Sequence, residues 1–171
     1  MINKQPIGIF DSGIGGLTVV KEIMNQLPNE NIVYLGDTAR VPYGTKSKET
    51  IIKYSIENTK FLLKHNVKII VVACNSASSY SIETLKKILK KIPVIGVIYP
   101  GSKTVCEKTK INKVGVIGTN ATIKSNSYKK AIMKYCKSKK VKVYSVACPL
   151  FVPLIEEGWM DKIYQEKIRR T

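Results

Sequence analysis

The chain reads as an α/β protein built on parallel, doubly wound sheets. Three observations carry that expectation. Short runs rich in β-branched residues recur, and Val67-Lys68-Ile69-Ile70-Val71-Val72-Ala73 is apolar at every position but one, as in a strand buried on both faces. Stretches of helical spacing separate these runs, which is the alternation of a parallel sheet with crossover helices. Several runs also stop abruptly at polar residues just before a helix begins. In open α/β sheets, ligands bind at the carboxyl ends of the strands.

Taken in order, Pro6-Ile7-Gly8-Ile9-Phe10 is the first predicted strand, closed by Asp11-Ser12-Gly13-Ile14-Gly15-Gly16. Leu17, Val20, Ile23, Met24 and Leu27 then follow a helical period until Pro28 stops them. The glycine-rich turn lacks the spacing and the Lys-Ser/Thr ending of a phosphate loop, and Asp11 would repel a phosphate. It could instead hold a zwitterion, with Asp11 facing the ammonium and helix-start amides facing a carboxylate. Ser12 equally suits a plain helix N-cap.

Asn31-Ile32-Val33-Tyr34-Leu35 is the second strand, ending at Gly36-Asp37-Thr38, and Ala39-Arg40-Val41-Pro42-Tyr43-Gly44-Thr45 is a stiff loop. A helix capped by Ser47, with Glu49 in its first turn, runs to about His65, which suits a helix C-terminus. The third strand leads through Cys74-Asn75-Ser76 into a helix carrying Ile82, Leu85, Ile88 and Leu89. Val94-Ile95-Gly96-Val97-Ile98 is the fourth strand, and Tyr99-Pro100-Gly101 is expected as a turn before a short helix holding Cys106. Lys113-Val114-Gly115-Val116-Ile117, ending at Thr119, echoes the opening strand–hydroxyl–helix unit and hints at two similar halves. One helix over about 123–138 follows, with Cys136 as a packing residue. Residues 140–146 form a sixth strand, and a last helix spans 163–171.

Composition bounds the function classes. A length of 171 residues suits one domain, or one domain and part of another, and 44% hydrophobic residues suffice for a core. No apolar run approaches a membrane span, and the N-terminus lacks a signal-peptide core, so a cytoplasmic location is expected. Cys74, Cys106, Cys136 and Cys148 are widely spaced and there is one histidine, which opposes a metal site and a disulfide framework. In a reducing compartment all four thiols are expected to stay free.

The net charge of +17 raises a nucleic-acid reading. Up to residue 45 there are three Lys+Arg against four Asp+Glu; beyond it, 26 against 8. The excess is mostly paired lysines on predicted helix faces, arginine occurs three times, and no aromatics interleave for stacking. A solvated lysine-rich surface is the expectation.

Strand ends thus gather Asp11, Ser12, Asp37, Cys74, Asn75 and Thr119. Cys74 alone is as readily a small buried thiol as a reactive one. No histidine is placed to activate it, so Cys-His hydrolysis is poorly supported.

Four blocks, in this order and spacing, carry a resemblance: Gly8-Ile9-Phe10-Asp11-Ser12-Gly13-Ile14-Gly15-Gly16-Leu17-Thr18-Val19, Gly36-Asp37-Thr38-Ala39-Arg40-Val41-Pro42-Tyr43-Gly44, Ala73-Cys74-Asn75-Ser76-Ala77-Ser78, and Ala147-Cys148-Pro149-Leu150-Phe151-Val152-Pro153-Leu154-Ile155-Glu156. The chain resembles the glutamate racemases of the cofactor-independent aspartate/glutamate racemase superfamily over essentially its whole length. The resemblance implies glutamate as the small-molecule substrate, no cofactor, and a two-base mechanism in which one cysteine removes the α-proton and another returns one on the opposite face. Cys74 matches the first catalytic cysteine. Asp11, Ser12, Tyr43, Gly44, Asn75 and Ser76 match substrate contacts, with Ser76 standing where threonine is common in the family. A thiolate at Cys74 would be favoured by a helix N-terminus, and Asp11 could orient it or exchange protons with it.

The resemblance also implies two similar domains, here residues 1–97 and an incomplete unit at 98–171. The Gly-Cys-Thr-His-Tyr-Pro block holding the family's second catalytic cysteine is absent, and Cys148 belongs to the earlier Ala-Cys-Pro-Leu block. The chain therefore reads as the N-terminal part of a racemase, with little or no turnover alone. It is expected to expose apolar surface that favours aggregation or a homodimer. An aspartate racemase, a ligand-binding remnant, and nucleic-acid binding are the competing readings. An acidic residue after Pro-Leu-Phe-Val-Pro, Glu156 or Glu157, is worth watching.

Overall fold

The computed structural model describes residues 4–136 and 140–159. Among them, six strands lie in two sheets, and every pairing is parallel. The first sheet has the order β2-β1-β3-β4, from β1 (Ile7–Asp11), β2 (Ile32–Gly36), β3 (Ile69–Val72) and β4 (Val94–Gly96). The second pairs β5 (Lys113–Gly118) with β6 (Lys142–Ala147). This is the parallel α/β class expected from the sequence. The helices are α1 (Leu17–Gln26), α2 (Lys48–Leu63), α3 (Asn75–Tyr80), α4 (Ile82–Ile88), α5 (Ile98–Lys108), α6 (Asn120–Lys124), α7 (Ser127–Tyr135) and α8 (Phe151–Glu156).

Side chains alternate across a strand, and both faces of the first sheet are used. Phe10, Ile70 and Val72 join Ile51 and Leu62 of α2 and Leu85 of α4 on one side. Ile7, Ile9, Val71 and Ala73 meet Val19, Val20 and Ile23 of α1 on the other. Phe10, Ile9, Ile70 and Val72 are completely buried, and each such side chain contributes about 1.5–3 kcal/mol relative to exposure. The second sheet is covered differently. Val114, Val116 and Val143 pack with Ile132 of α7 and Val105 of α5, whereas Ile117, Tyr144 and Val146 are exposed. Leu150 and, in α8, Phe151 and Ile155 are exposed as well, matching the expected apolar surface.

Four local expectations are corrected. Strand β4 stops at Gly96, and Tyr99-Pro100-Gly101 lies inside α5 rather than in a turn. Pro100 is third in that helix, within the first turn, where backbone N–H groups have no helical partner to lose. The expected 123–138 helix divides into α6 and α7 at Asn126, which adopts φ +55°, a left-handed conformation that asparagine tolerates. The helix after Cys74 likewise divides, at Ser81. Finally, Cys106 and Cys136 are joined as a disulfide and only Cys74 and Cys148 are free. Helices α5 and α7 lie side by side and bring the two Cα atoms to 5.4 Å, within disulfide range. The last predicted helix, 163–171, lies outside the described residues, as do 137 and 138.

Candidate active site

Strand β1 ends at Asp11, and the neighbouring strand β3 leads into Cys74 at the same end of the sheet. Asp11 is buried; its Oδ2 accepts the Gly13 N–H at 3.0 Å, folding the turn back on itself. Gly16 must approach that carboxylate closely, since a Cβ there would lie 2.5 Å from Asp11 Cβ. Ser12 is not the cap of α1, which starts at Leu17 after an uncapped Gly16. Its hydroxyl instead accepts a hydrogen bond from Cys74 Sγ at 3.3 Å.

Cys74 is the N-cap of α3, and its sulfur accepts the Ala77 N–H at 3.4 Å. The helix start does favour the thiolate, through the Ala77 N–H, but it is outweighed. Burial, reinforced by the Asp11 charge, pushes the Cys74 thiol up, outweighing the bonds from Ser12 and Ala77. The resting group is a thiol. Removing water disfavours an anion more than one long N–H···S bond stabilises it.

The second sheet closes the site. Thr119 caps α6 by accepting the Thr122 N–H at 3.2 Å, and its hydroxyl lies 2.9 Å from that of Ser76. Gly44 permits the contact from a third direction, because a Cβ there would lie 2.4 Å from Thr119 Cβ. The result is a cavity of about 300 Å³ lined by Asp11, Ser12, Tyr43, Gly44, Cys74, Asn75 and Ser76, with Thr119, Tyr128, Val152 and Glu156. All seven site residues expected from the sequence therefore share one cavity.

Tyr43 is almost wholly buried, and its hydroxyl donates to Asp37. Asp37 does not line the cavity. It pairs with Arg40 at 2.8 Å, and Asn58 joins Arg40 at 2.9 Å and the Tyr43 hydroxyl at 3.0 Å. The network anchors the loop that presents Tyr43 and Gly44. His65 is exposed beyond α2, against Phe61, and plays no part in the cavity.

Glu156 and Tyr128 also line the cavity. Burial and Asp11 push the Glu156 carboxyl up, partly offset by the Ile14 N–H. Its position after Pro-Leu-Phe-Val-Pro was the available sequence signal. Tyr128, set within a lysine-rich helix, offered none.

A sulfur and a carboxylate converging on a small cavity suit proton transfer at an acidic carbon. The match to known proteins is of the same kind. Residues 7–170 match the profile of the Asp/Glu/Hydantoin racemase family. The chain belongs to that family. It is 59% identical over 158 residues to the glutamate racemase of Sulfurihydrogenibium sp., covering 92% of this chain and 60% of that protein. The chain thus spans about 60% of the length of the curated family members it matches. Two crystal structures of the family superpose well: a Bacillus anthracis glutamate racemase isoform, with TM-score 0.88, 44% identity, and coverage of 94% of this chain and 59% of that one; and the Francisella tularensis glutamate racemase in complex with D-glutamate, with TM-score 0.84, 50% identity, and coverage of 92% and 58%.

Proposed function

We propose that this chain carries the first half of a glutamate racemase site: it binds glutamate in the Cys74 cavity and uses that cysteine to exchange the α-proton. The observation that carries the proposal is the convergence of Cys74, Asp11, Asn75, Ser76 and Thr119 on one cavity. Asp11 faces the α-ammonium, while the Asn75 amide and the Ser76 and Thr119 hydroxyls serve the carboxylates. The ammonium compensates the Asp11 charge, which otherwise opposes ionisation of Cys74, so the substrate itself favours the thiolate that must attack. That thiolate takes the Cα proton, leaving the electron pair on carbon. Without a cofactor to spread that charge, aimed donors stabilise it.

Inversion needs a second acid on the other face. Cys106 and Cys136 are bonded to each other, and Cys148 does not line the cavity. The 171-residue chain is therefore expected to exchange the proton and return it to the same face, with little or no racemisation. In a two-cysteine enzyme the product would be D-glutamate for peptidoglycan, made in the cytoplasm. The units proposed at 1–97 and 98–171 are supported by the two separate sheets.

The test is proton NMR of D- and L-glutamate, and of aspartate, in D₂O with the wild-type chain and Cys74→Ala. Deuterium incorporation into glutamate that disappears in Cys74→Ala is the expected result. Exchange that survives the substitution would overturn the role of Cys74, and exchange of aspartate alone would move the substrate assignment.

A further inference from the structure

Asn75 opens α3 directly after Cys74 and lines the cavity; its residue is exposed, and within α3 only its backbone carbonyl is engaged by a side chain among the bonds described, accepting from Ser79 at 2.8 Å. Its side-chain partner comes from the other sheet's helix layer. Tyr128, in the first turn of α7, donates its hydroxyl to Asn75 Oδ1 at 2.7 Å across 53 residues of sequence. The tyrosine is well held. Neighbouring Ser127 donates to the Ser79 carbonyl at 3.0 Å, and the Tyr128 ring packs against the cluster of Val114, Ile132 and Cys136.

A carboxamide has a donor end and an acceptor end of nearly equal shape, so without a fixed partner it presents either. A tyrosine hydroxyl that donates to Oδ1 holds the acceptor end, leaving the two N–H donors for the cavity. We propose that Tyr128 is a positioning residue, which sets the Asn75 carboxamide so that its amino group faces a ligand carboxylate in the Cys74 cavity. Burial pushes the Tyr128 phenol up, so the hydroxyl keeps its proton at neutral pH. Because Tyr128 belongs to α7 and Asn75 to α3, separating the two sheets releases the amide and removes the donor.

The inference rests on the cavity binding glutamate, and the experiment separates the two. Glutamate affinity is measured by calorimetry for the wild-type chain, Tyr128→Phe, Asn75→Ala and the double variant. Loss of one hydrogen bond predicts weakening of about 3–10-fold for Tyr128→Phe, absent when Asn75 is already alanine. The same loss in both backgrounds, or none in either, overturns the proposal. In parallel, ¹H–¹⁵N spectra follow the Asn75 side-chain amide without ligand, and a signal unmoved by Tyr128→Phe also overturns it. Should that variant not fold, the Tyr128 ring resonances are read instead. Asn75→Asp keeps the acceptor and should leave them in place, whereas Asn75→Ala should shift them; no shift overturns the proposal. If the wild type binds no glutamate, the glutamate reading falls and the spectra alone decide the role of Tyr128.

Discussion

Cys74 Sγ lies 3.3 Å from Ser12 Oγ, joining two strand ends that are 62 residues apart in sequence. That bond favours the sulfur's ionised form but is outweighed by burial and by the adjacent Asp11 carboxylate. Burial and Asp11 both push the thiol up from its ordinary 9.0. A raised value means the neutral form persists to higher pH, and the thiolate appears only as pH climbs beyond that ordinary value.

Alkylation of Cys74 by iodoacetamide, followed in a Cys148→Ser background, is therefore expected to reach half its limiting rate above pH 9.0. Asp11→Asn removes the Coulombic opposition and should bring the midpoint down. A midpoint below that of a free peptide thiol would show that the helix start outweighs burial after all.

Gly44→Ala tests the seam between the sheets. The new methyl would meet Thr119 Cβ at 2.4 Å, so the loop or α6 must shift. Overpacking of this kind costs about 1–3 kcal/mol. A lower urea midpoint with weakened glutamate binding is expected, and an unchanged midpoint would mean the seam yields freely.

Asp37→Ala should destabilise the fold without touching the cavity directly. It strips the buried partner from Arg40 and the acceptor from Tyr43. Because Arg40 is partly exposed and keeps Glu57 and Asn58, the loss is that of a buried acceptor, about 1–3 kcal/mol. Chemical unfolding measures the loss, and a change below 1 kcal/mol would contradict the network's anchoring role.

The Cys106–Cys136 bond closes a separation of 30 residues. Chain-entropy arguments put its contribution at about 3–4 kcal/mol, so Cys136→Ser should lower stability by up to that amount. Thermal unfolding with and without reductant checks it: reductant should destabilise the wild type and leave Cys136→Ser unchanged.

The sequence alone was enough to set the six parallel strands, because β-branched runs buried on two faces have few other uses, and the polar strand ends located the cavity. Asp11, Ser12, Cys74, Asn75 and Thr119 were legible there as strand-end residues, although Asp37, read the same way, lies outside the cavity; Tyr43, Gly44 and Ser76 came only from the family resemblance. Only the tertiary structure decided how they are tuned. Local sequence left Cys74 open between a buried and a reactive thiol; the Asp11 charge and the depth of burial, which oppose its ionisation, come from strands far apart in the chain. The Cys106–Cys136 bond and the Tyr128 contact with Asn75 share that origin. Each depends on the packing of elements distant in sequence, and residue spacing carries no record of which helices become neighbours.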